Sequence, residues 1–173
     1  IDFDNPQTGY NSLSRAFCSY RFIKQNYKKD TKILEIGPGS GYLGLLLILD
    51  GYDYAAIENS QALYLYQTII FNKTKKPFKL YTWWEFLNLS ELNDINLICG
   101  CHIFNEMHPN ALKFLLSLFT NNKKIEIFFE NLDYYTNNNC LNIFSQKNYY
   151  LNFYKKISNT DISFGVISKN LTA

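Results

Sequence analysis

The sequence predicts a doubly wound α/β domain, Rossmann-like in plan, whose mostly parallel sheet ends in an antiparallel C-terminal strand. Three observations carry this. Short apolar runs alternate with segments of helical periodicity along most of the chain. One such run, Lys32 to Ile36, passes straight into the glycine loop Gly37-Pro38-Gly39-Ser40-Gly41. The last two apolar runs, residues 149–157 and 162–168, follow one another without a helix between them and read as a closing hairpin.

Taken in order, residues 12–28 set Leu13, Phe17, Tyr20, Ile23 and Lys24 near one face of a helix. Asp30-Thr31 interrupts, and Lys32 to Ile36 is a short buried strand. The run Tyr42 to Leu49 is too apolar for a surface helix and suits one packed flat on a sheet, with Gly51 as its C-terminal cap. A second strand runs from Tyr52 to Ile57, and Asn59 or Ser60 caps a helix that reaches about Lys73. Strands follow at 78–81 and 95–101. Pro109 suits a first helical turn and opens a helix to Phe119. A fifth strand covers 124–130, and a helix covers 138–147. Strands separated by helices imply a parallel sheet covered on both faces. Residues 1–30 read as an N-terminal helical cap segment and 31–173 as the sheet domain.

Composition narrows the function. At 173 residues with 47% hydrophobic content the chain suits one folded domain. Lys and Arg number 17 against 15 Asp and Glu, and the lysine pairs are scattered, so no concentrated basic face for nucleic acid is expected. No apolar run approaches the roughly 20 residues of a membrane-spanning helix. Cys18, Cys99, Cys101 and Cys140 lack CxxC spacing, and reduced thiols in a cytoplasmic protein are the expectation. The chain opens on Ile1 rather than Met, as an excised piece of a longer protein would.

A strand that turns through glycines into a helix brings backbone close to a ligand and presents unpaired N–H groups at the helix start. Glu58 closes the next strand, 21 positions after Gly37, where a carboxylate can accept hydrogen bonds from ribose hydroxyls. Together they describe a site for an adenosine-containing cofactor. A GxGxxG stretch exists at Gly39, Gly41 and Gly44 and would suit NAD, making an NAD-dependent oxidoreductase the competing enzyme. Yet the first glycine of that fingerprint should follow its strand directly, and Gly37 holds that place. Pro38 also removes an N–H that a pyrophosphate would use.

Glu35 with this glycine register resembles the first motif of class I methyltransferases, which implies S-adenosyl-L-methionine as cofactor. In that resemblance Glu35 orients the loop or the amino-acid end of the cofactor. Gly37, Gly39 and Gly41 line its methionine and ribose portion, and Glu58, followed by Asn59, takes the ribose. Trp83-Trp84-Glu85-Phe86 follows the third strand, where Trp84 or Glu85 would flank the adenine. The alternative for both tryptophans is simple packing over the sheet.

The fourth strand ends in Cys99-Gly100-Cys101-His102-Ile103-Phe104-Asn105-Glu106-Met107-His108-Pro109, which holds both histidines of the chain. Ligands of open α/β sheets lie beyond the carboxyl ends of the strands, so this segment faces the reacting group. Methyl transfer is governed by positioning. A hydroxyl acceptor must also lose its proton, which a histidine or carboxylate can take near neutral pH. His108 and Glu106 are the candidates for base and orienting group, the equal alternative for His108 being a helix-entry histidine bonded to backbone, while His102 closes the strand beneath the cofactor. The spacing of His102, Glu106 and His108 matches no established metal motif, and no metal is expected. The segment also lacks the Asn/Asp-Pro-Pro-aromatic motif of nucleic-acid methyltransferases.

The stretches 33–44, 56–64 and 105–109, with the flank Asn5 to Arg15, resemble a bacterial family of sugar O-methyltransferases. That resemblance implies methylation of a sugar or glycan hydroxyl, with Tyr10, Asn11 and Arg15 covering the pocket and Asn105 at the substrate. A non-catalytic cofactor-binding module is the reading outside enzymes.

Overall fold

The computed structural model describes residues 6–87, 94–119, 125–130, 138–156 and 163–169, with side chains from residue 12 in the first helix and 140 in the last. The chain alternates as expected. Helix α1 (Pro6–Asn26) precedes β1 (Lys32–Ile36), α2 (Tyr42–Asp50), β2 (Asp53–Ile57), α3 (Gln61–Asn72) and β3 (Lys79–Tyr81). Then come α4 (Trp83–Phe86), β4 (Leu97–Cys101), α5 (Ile103–Glu106), α6 (Pro109–Leu118), β5 (Glu126–Glu130), α7 (Asn138–Gln146), β6 (Tyr149–Lys156) and β7 (Ser163–Lys169).

Seven strands form one sheet in the order β3-β2-β1-β4-β5-β7-β6. Strands β1 to β5 are parallel, and β7 runs antiparallel to both β5 and β6. The expected closing hairpin is therefore present, with β7 inserted between β5 and β6. Chain order reverses at β1, between β2 and β4, so the crevice at the carboxyl ends of β1 and β4 is where this topology admits a ligand.

Alternation along each strand explains why both faces are apolar. In β1, Ile33 joins α1 and α2 in one core while Leu34 joins α6 and α7 in the other. Phe128 and Phe129 of β5 divide the same way. The first core holds Ile23, Leu47, Tyr54 and Phe71, all nearly inaccessible. Phe22 of α1 stacks on Phe128 with ring centroids 5.1 Å apart, which fixes α1 across the sheet.

Local signals set the boundaries. Gly51 adopts φ 88° and closes α2, its N–H reaching the Ile48 and Leu47 carbonyls. Ser60 caps α3 through the Leu63 N–H, at a long 3.5 Å. Asp50 at the end of α2 binds Tyr20 Oη at 2.9 Å and pairs with Lys24 and Lys29. Those bonds, Lys29 foremost, hold its carboxyl down at about 2 against the smaller opposing effect of burial.

Three elements differ from the sequence reading. Helix α1 starts at Pro6 rather than residue 12: proline is tolerated in a first helical turn, and the helix continues through Gly9 despite its low propensity. The Trp83–Phe86 segment is a short helix, closed by a capping box between Thr82 and Glu85. Residues Ile103–Glu106 form another single turn before α6.

Helix α2 gives a direct check on this packing. Leu47 is fully buried and Leu49, two positions on, is half exposed. Leu47→Ala should cost about 2–5 kcal/mol in urea unfolding. Leu49→Ala should stay within about 0.5 kcal/mol of the wild type. Equal losses at the two positions would contradict this orientation of α2.

Candidate functional site

The carboxyl ends of the parallel strands converge on one cleft of about 190 Å³, lined by Ser12, Arg15 and Ala16 of α1 with Glu35, Gly37 to Ser40, Leu43, Cys101, His102 and Glu130. Strand ladders extend past the strand ends to place these residues. The Gly37 N–H donates to Ile57 O, the Glu58 N–H to Tyr81 O and the His102 N–H to Glu130 O, each at 3.0 Å.

The loop needs its glycines. Gly37 has φ 61° and Gly39 φ 55°, values that side chains rarely adopt. A Cβ at Gly37 would stand 3.0 Å from Ile103 Cδ1, whereas nothing lies within 4 Å of the Cβ position at Gly39. The first glycine is thus fixed by packing, and the second opens the backbone toward space. Across Gly39 the Gly41 N–H closes a turn onto the Pro38 carbonyl at 2.9 Å.

Three carboxylates surround this loop, all nearly inaccessible: Glu35 at 2%, Glu58 at 6% and Glu130 at 2% exposure. Glu35 accepts a 2.6 Å bond from Tyr54 Oη. Burial pushes its carboxyl up to about 7, the charges of Glu130 and Glu58 push the same way, and the Tyr54 bond opposes them. Glu58 accepts the Ser60 N–H at 2.9 Å on Oε1 and Gln67 Nε2 at 3.0 Å on Oε2. Glu130 is the acid that α1 answers. Arg15 Nε reaches its Oε1 at 2.7 Å, and Ser19 Oγ its Oε2 at 2.8 Å.

Arg15 is left with one group to spare. Its Nη2 is buried and meets no acceptor among the described residues. A buried donor without a partner is costly, and a charged one more so.

His102 also lines the cleft, with its backbone left-handed at φ 66° and its Nε2 3.7 Å from Glu130 Oε1. Burial and the Arg15 charge hold its imidazole below the ordinary histidine value, against the pull of Glu130 and Glu106. That shift favours the neutral imidazole, the form that can take a proton.

The structure therefore brings together Glu35, Gly37, Gly39, Arg15 and His102 at one cleft, with Glu58 beside the loop. Gly41 ends that loop at the start of α2. Other expected site residues lie apart. Glu85 spends its carboxylate on the Thr82 N–H and hydroxyl at 2.8 and 2.7 Å. Trp83 and Trp84 are exposed and meet edge to face at 5.9 Å. Asn59 is exposed beyond Glu58, and Asn105 is half-buried on α5. Glu106 and His108 are exposed and neither lines the cleft. His108 caps α6, its Nδ1 accepting the Asn110 N–H at 3.2 Å. Tyr10 and Asn11 belong to α1, and their side chains lie outside the described residues.

Glu130, Gln67 and Tyr54 were not singled out by sequence. Glu130 carried the signal that found Glu35 and Glu58, an acid closing an apolar strand. Gln67 was a polar residue four positions before the buried Phe71 on one helix face.

Strand order, the glycine turn after β1 and acids at the ends of β1 and β2 define the class I methyltransferase fold. Solved structures share it. The chain aligns with the TehB-like SAM-dependent methyltransferase of Corynebacterium glutamicum at TM-score 0.70 and 14% identity, over 96% of this chain and 100% of that one. The magnesium protoporphyrin IX methyltransferase ChlM of Synechocystis PCC 6803, solved with bound SAM, aligns at 0.72 and 7%, over 98% and 85%. A SAM-dependent methyltransferase of Clostridium acetobutylicum aligns at 0.68 and 12%, over 92% of both chains. At these identities the likeness is one of fold. No family model matches the chain, and no curated protein matches it by sequence.

The raised Glu35 value fixes a pH dependence. A carboxyl whose folded value lies above its unfolded one stabilises the fold below the unfolded value, and that contribution is lost as pH rises through the folded value. Relative to Glu35→Gln, the wild type should lose up to about 3 kcal/mol between about pH 4.5 and pH 7. Urea unfolding of both proteins across that range measures it, and a pH-independent difference would refute it.

Proposed function

We propose that this protein is an S-adenosylmethionine-dependent methyltransferase that methylates a hydroxyl, with a sugar or glycan as acceptor. The observation that carries the cofactor reading is that Arg15 and the buried Glu35 line one cleft with the glycine loop. A guanidinium and a carboxylate across one glycine loop complement the carboxylate and ammonium of an α-amino acid. They suit a pyrophosphate poorly, since Glu58 and any ionised Glu35 would repel it while the Arg15 charge is already engaged by Glu130. That favours S-adenosylmethionine over NAD, and the methyltransferases of like fold support the same choice.

In this reading Arg15 and Glu35 hold the methionine end, the Gly37–Gly41 loop passes beneath it, and Glu58 accepts the ribose hydroxyls. The bound cofactor would supply an electrophilic methyl group. The protein's own task is to orient the acceptor and take its proton. His102 fits that role best: it lines the cleft, it is neutral, and the acid Glu106 lies near enough to influence it. His108 is the second candidate, but its Nδ1 accepts the Asn110 N–H, which leaves the proton of the neutral ring on Nε2, so it would have to give up the α6 cap to act as a base. The sugar acceptor rests on the resemblance of residues 33–44, 56–64 and 105–109 to sugar O-methyltransferases. All four cysteines are free, which fits a cytoplasmic enzyme.

Binding comes first as a test. S-adenosylhomocysteine should raise the melting temperature, NAD should not, and Arg15→Met should weaken the former by about tenfold or more. The same Arg15→Met change should leave 5′-methylthioadenosine, which lacks the amino-acid end, nearly unaffected. Stabilisation by NAD alone would overturn the cofactor reading. With an acceptor identified from a screen of nucleotide sugars and glycans, His102→Ala should lower kcat about 10²–10⁴-fold with S-adenosylhomocysteine affinity kept. A larger loss in His108→Ala would move the base there. Cofactor binding with no turnover on any hydroxyl would leave a binding module.

A further inference from the structure

We infer that Gln67 is a positioning residue, one amide that ties the glycine loop to the Glu58 carboxylate and holds that carboxylate ready for the ribose. The inference rests on the proposed role of Glu58. Gln67 lies on α3 and is completely buried. Its Nε2 donates to the Gly39 carbonyl at 2.7 Å and to Glu58 Oε2 at 3.0 Å. Both partners are acceptors, so the amide can face them only through its NH₂ end. The Ser60 N–H fixes the other oxygen of Glu58 at 2.9 Å. Two donors on two oxygens set the plane of the carboxylate and leave its remaining lone pairs for a ligand.

Packing alone does not account for the amide. Gln67 Oε1 is buried with no partner among the described residues. An apolar side chain of similar size would fill the same space without leaving that acceptor unpaired. The loop also rests on this side chain, since a Cβ at Gly41 would stand 3.1 Å from Gln67 Cγ. Loop and acid belong to successive β-α units, and Gln67 is the side chain seen to bond both. An uncharged donor with two hydrogens can join a carbonyl to a carboxylate while leaving the carboxylate its charge.

The experiment compares S-adenosylhomocysteine with the same molecule lacking its ribose 2′-hydroxyl. Wild-type protein should favour the hydroxylated form by about tenfold, the worth of one charge-assisted hydrogen bond. In Gln67→Met that preference should fall toward unity. A merely structural role would weaken both probes alike and keep the preference, which would overturn the inference. Gln67→Glu is the second variant. Its carboxylate would repel Glu58, and protonation would restore one donor, so its affinity relative to wild type should recover as pH falls. A pH-independent ratio would also overturn the inference, and this arm decides if Gln67→Met does not fold. Failure of the underlying reading is seen separately, in the wild type: no binding of S-adenosylhomocysteine, or no preference for the hydroxyl.

Discussion

The Arg15–Glu130 ion pair is the interaction on which the site depends. Glu130 ends the central strand β5 at 2% exposure, and a carboxylate buried there must be answered by a cation or donors. Both answers come from one helix, Arg15 and Ser19 being a turn apart on α1. Removing one partner of such a pair typically costs about 3–5 kcal/mol, because the other charge stays buried. The pair therefore acts less as a source of stability than as a registration device. It draws α1 over the carboxyl edge of the sheet, where Ser12, Arg15 and Ala16 become a wall of the cleft.

That docking also decides the electrostatics. Three buried carboxylates face the loop region with the Arg15 guanidinium among them. Glu35 responds by holding its proton to about pH 7, and His102, half-buried beside Arg15, responds by losing its own more readily. The two shifts share burial as their first cause and diverge because it disfavours charge of either sign. A cleft so arranged favours a ligand bearing positive charge near the acids and one anionic group for Arg15. The amino-acid end of the proposed sulfonium cofactor has that pattern.

Much of this was legible in the sequence because it rests on short-range chemistry. Lys32–Ile36 running into glycines, Glu58 at the next strand end and Gly51 after an apolar helix are local signals, and each strand they implied is present. Partnerships across the chain were not legible. Arg15 and Glu130 are separated by 115 positions, and nothing local says that this acid needs that arginine. Glu85 shows the converse: near an expected adenine site its carboxylate closes a capping box, a competing use that Thr82 three residues earlier already announced. His108 behaves likewise, as the residue before a helix-opening proline whose ring nitrogen caps the helix.

The backbone at His102, the base in the proposed reaction, is held in an uncommon conformation. Its φ of 66° is left-handed, a conformation costing a side-chain-bearing residue about 1–2 kcal/mol. Glycine would remove that cost at the β4–α5 junction, and the sequence holds histidine there instead. Such strain persists where the surrounding structure imposes it, and here the His102 N–H bond to the Glu130 carbonyl does so. One residue, Glu130, thus fixes the backbone of His102 through its carbonyl and the guanidinium of Arg15 through its carboxylate. The proposed proton acceptor and the proposed partner of the cofactor's carboxylate are therefore held from a single strand end.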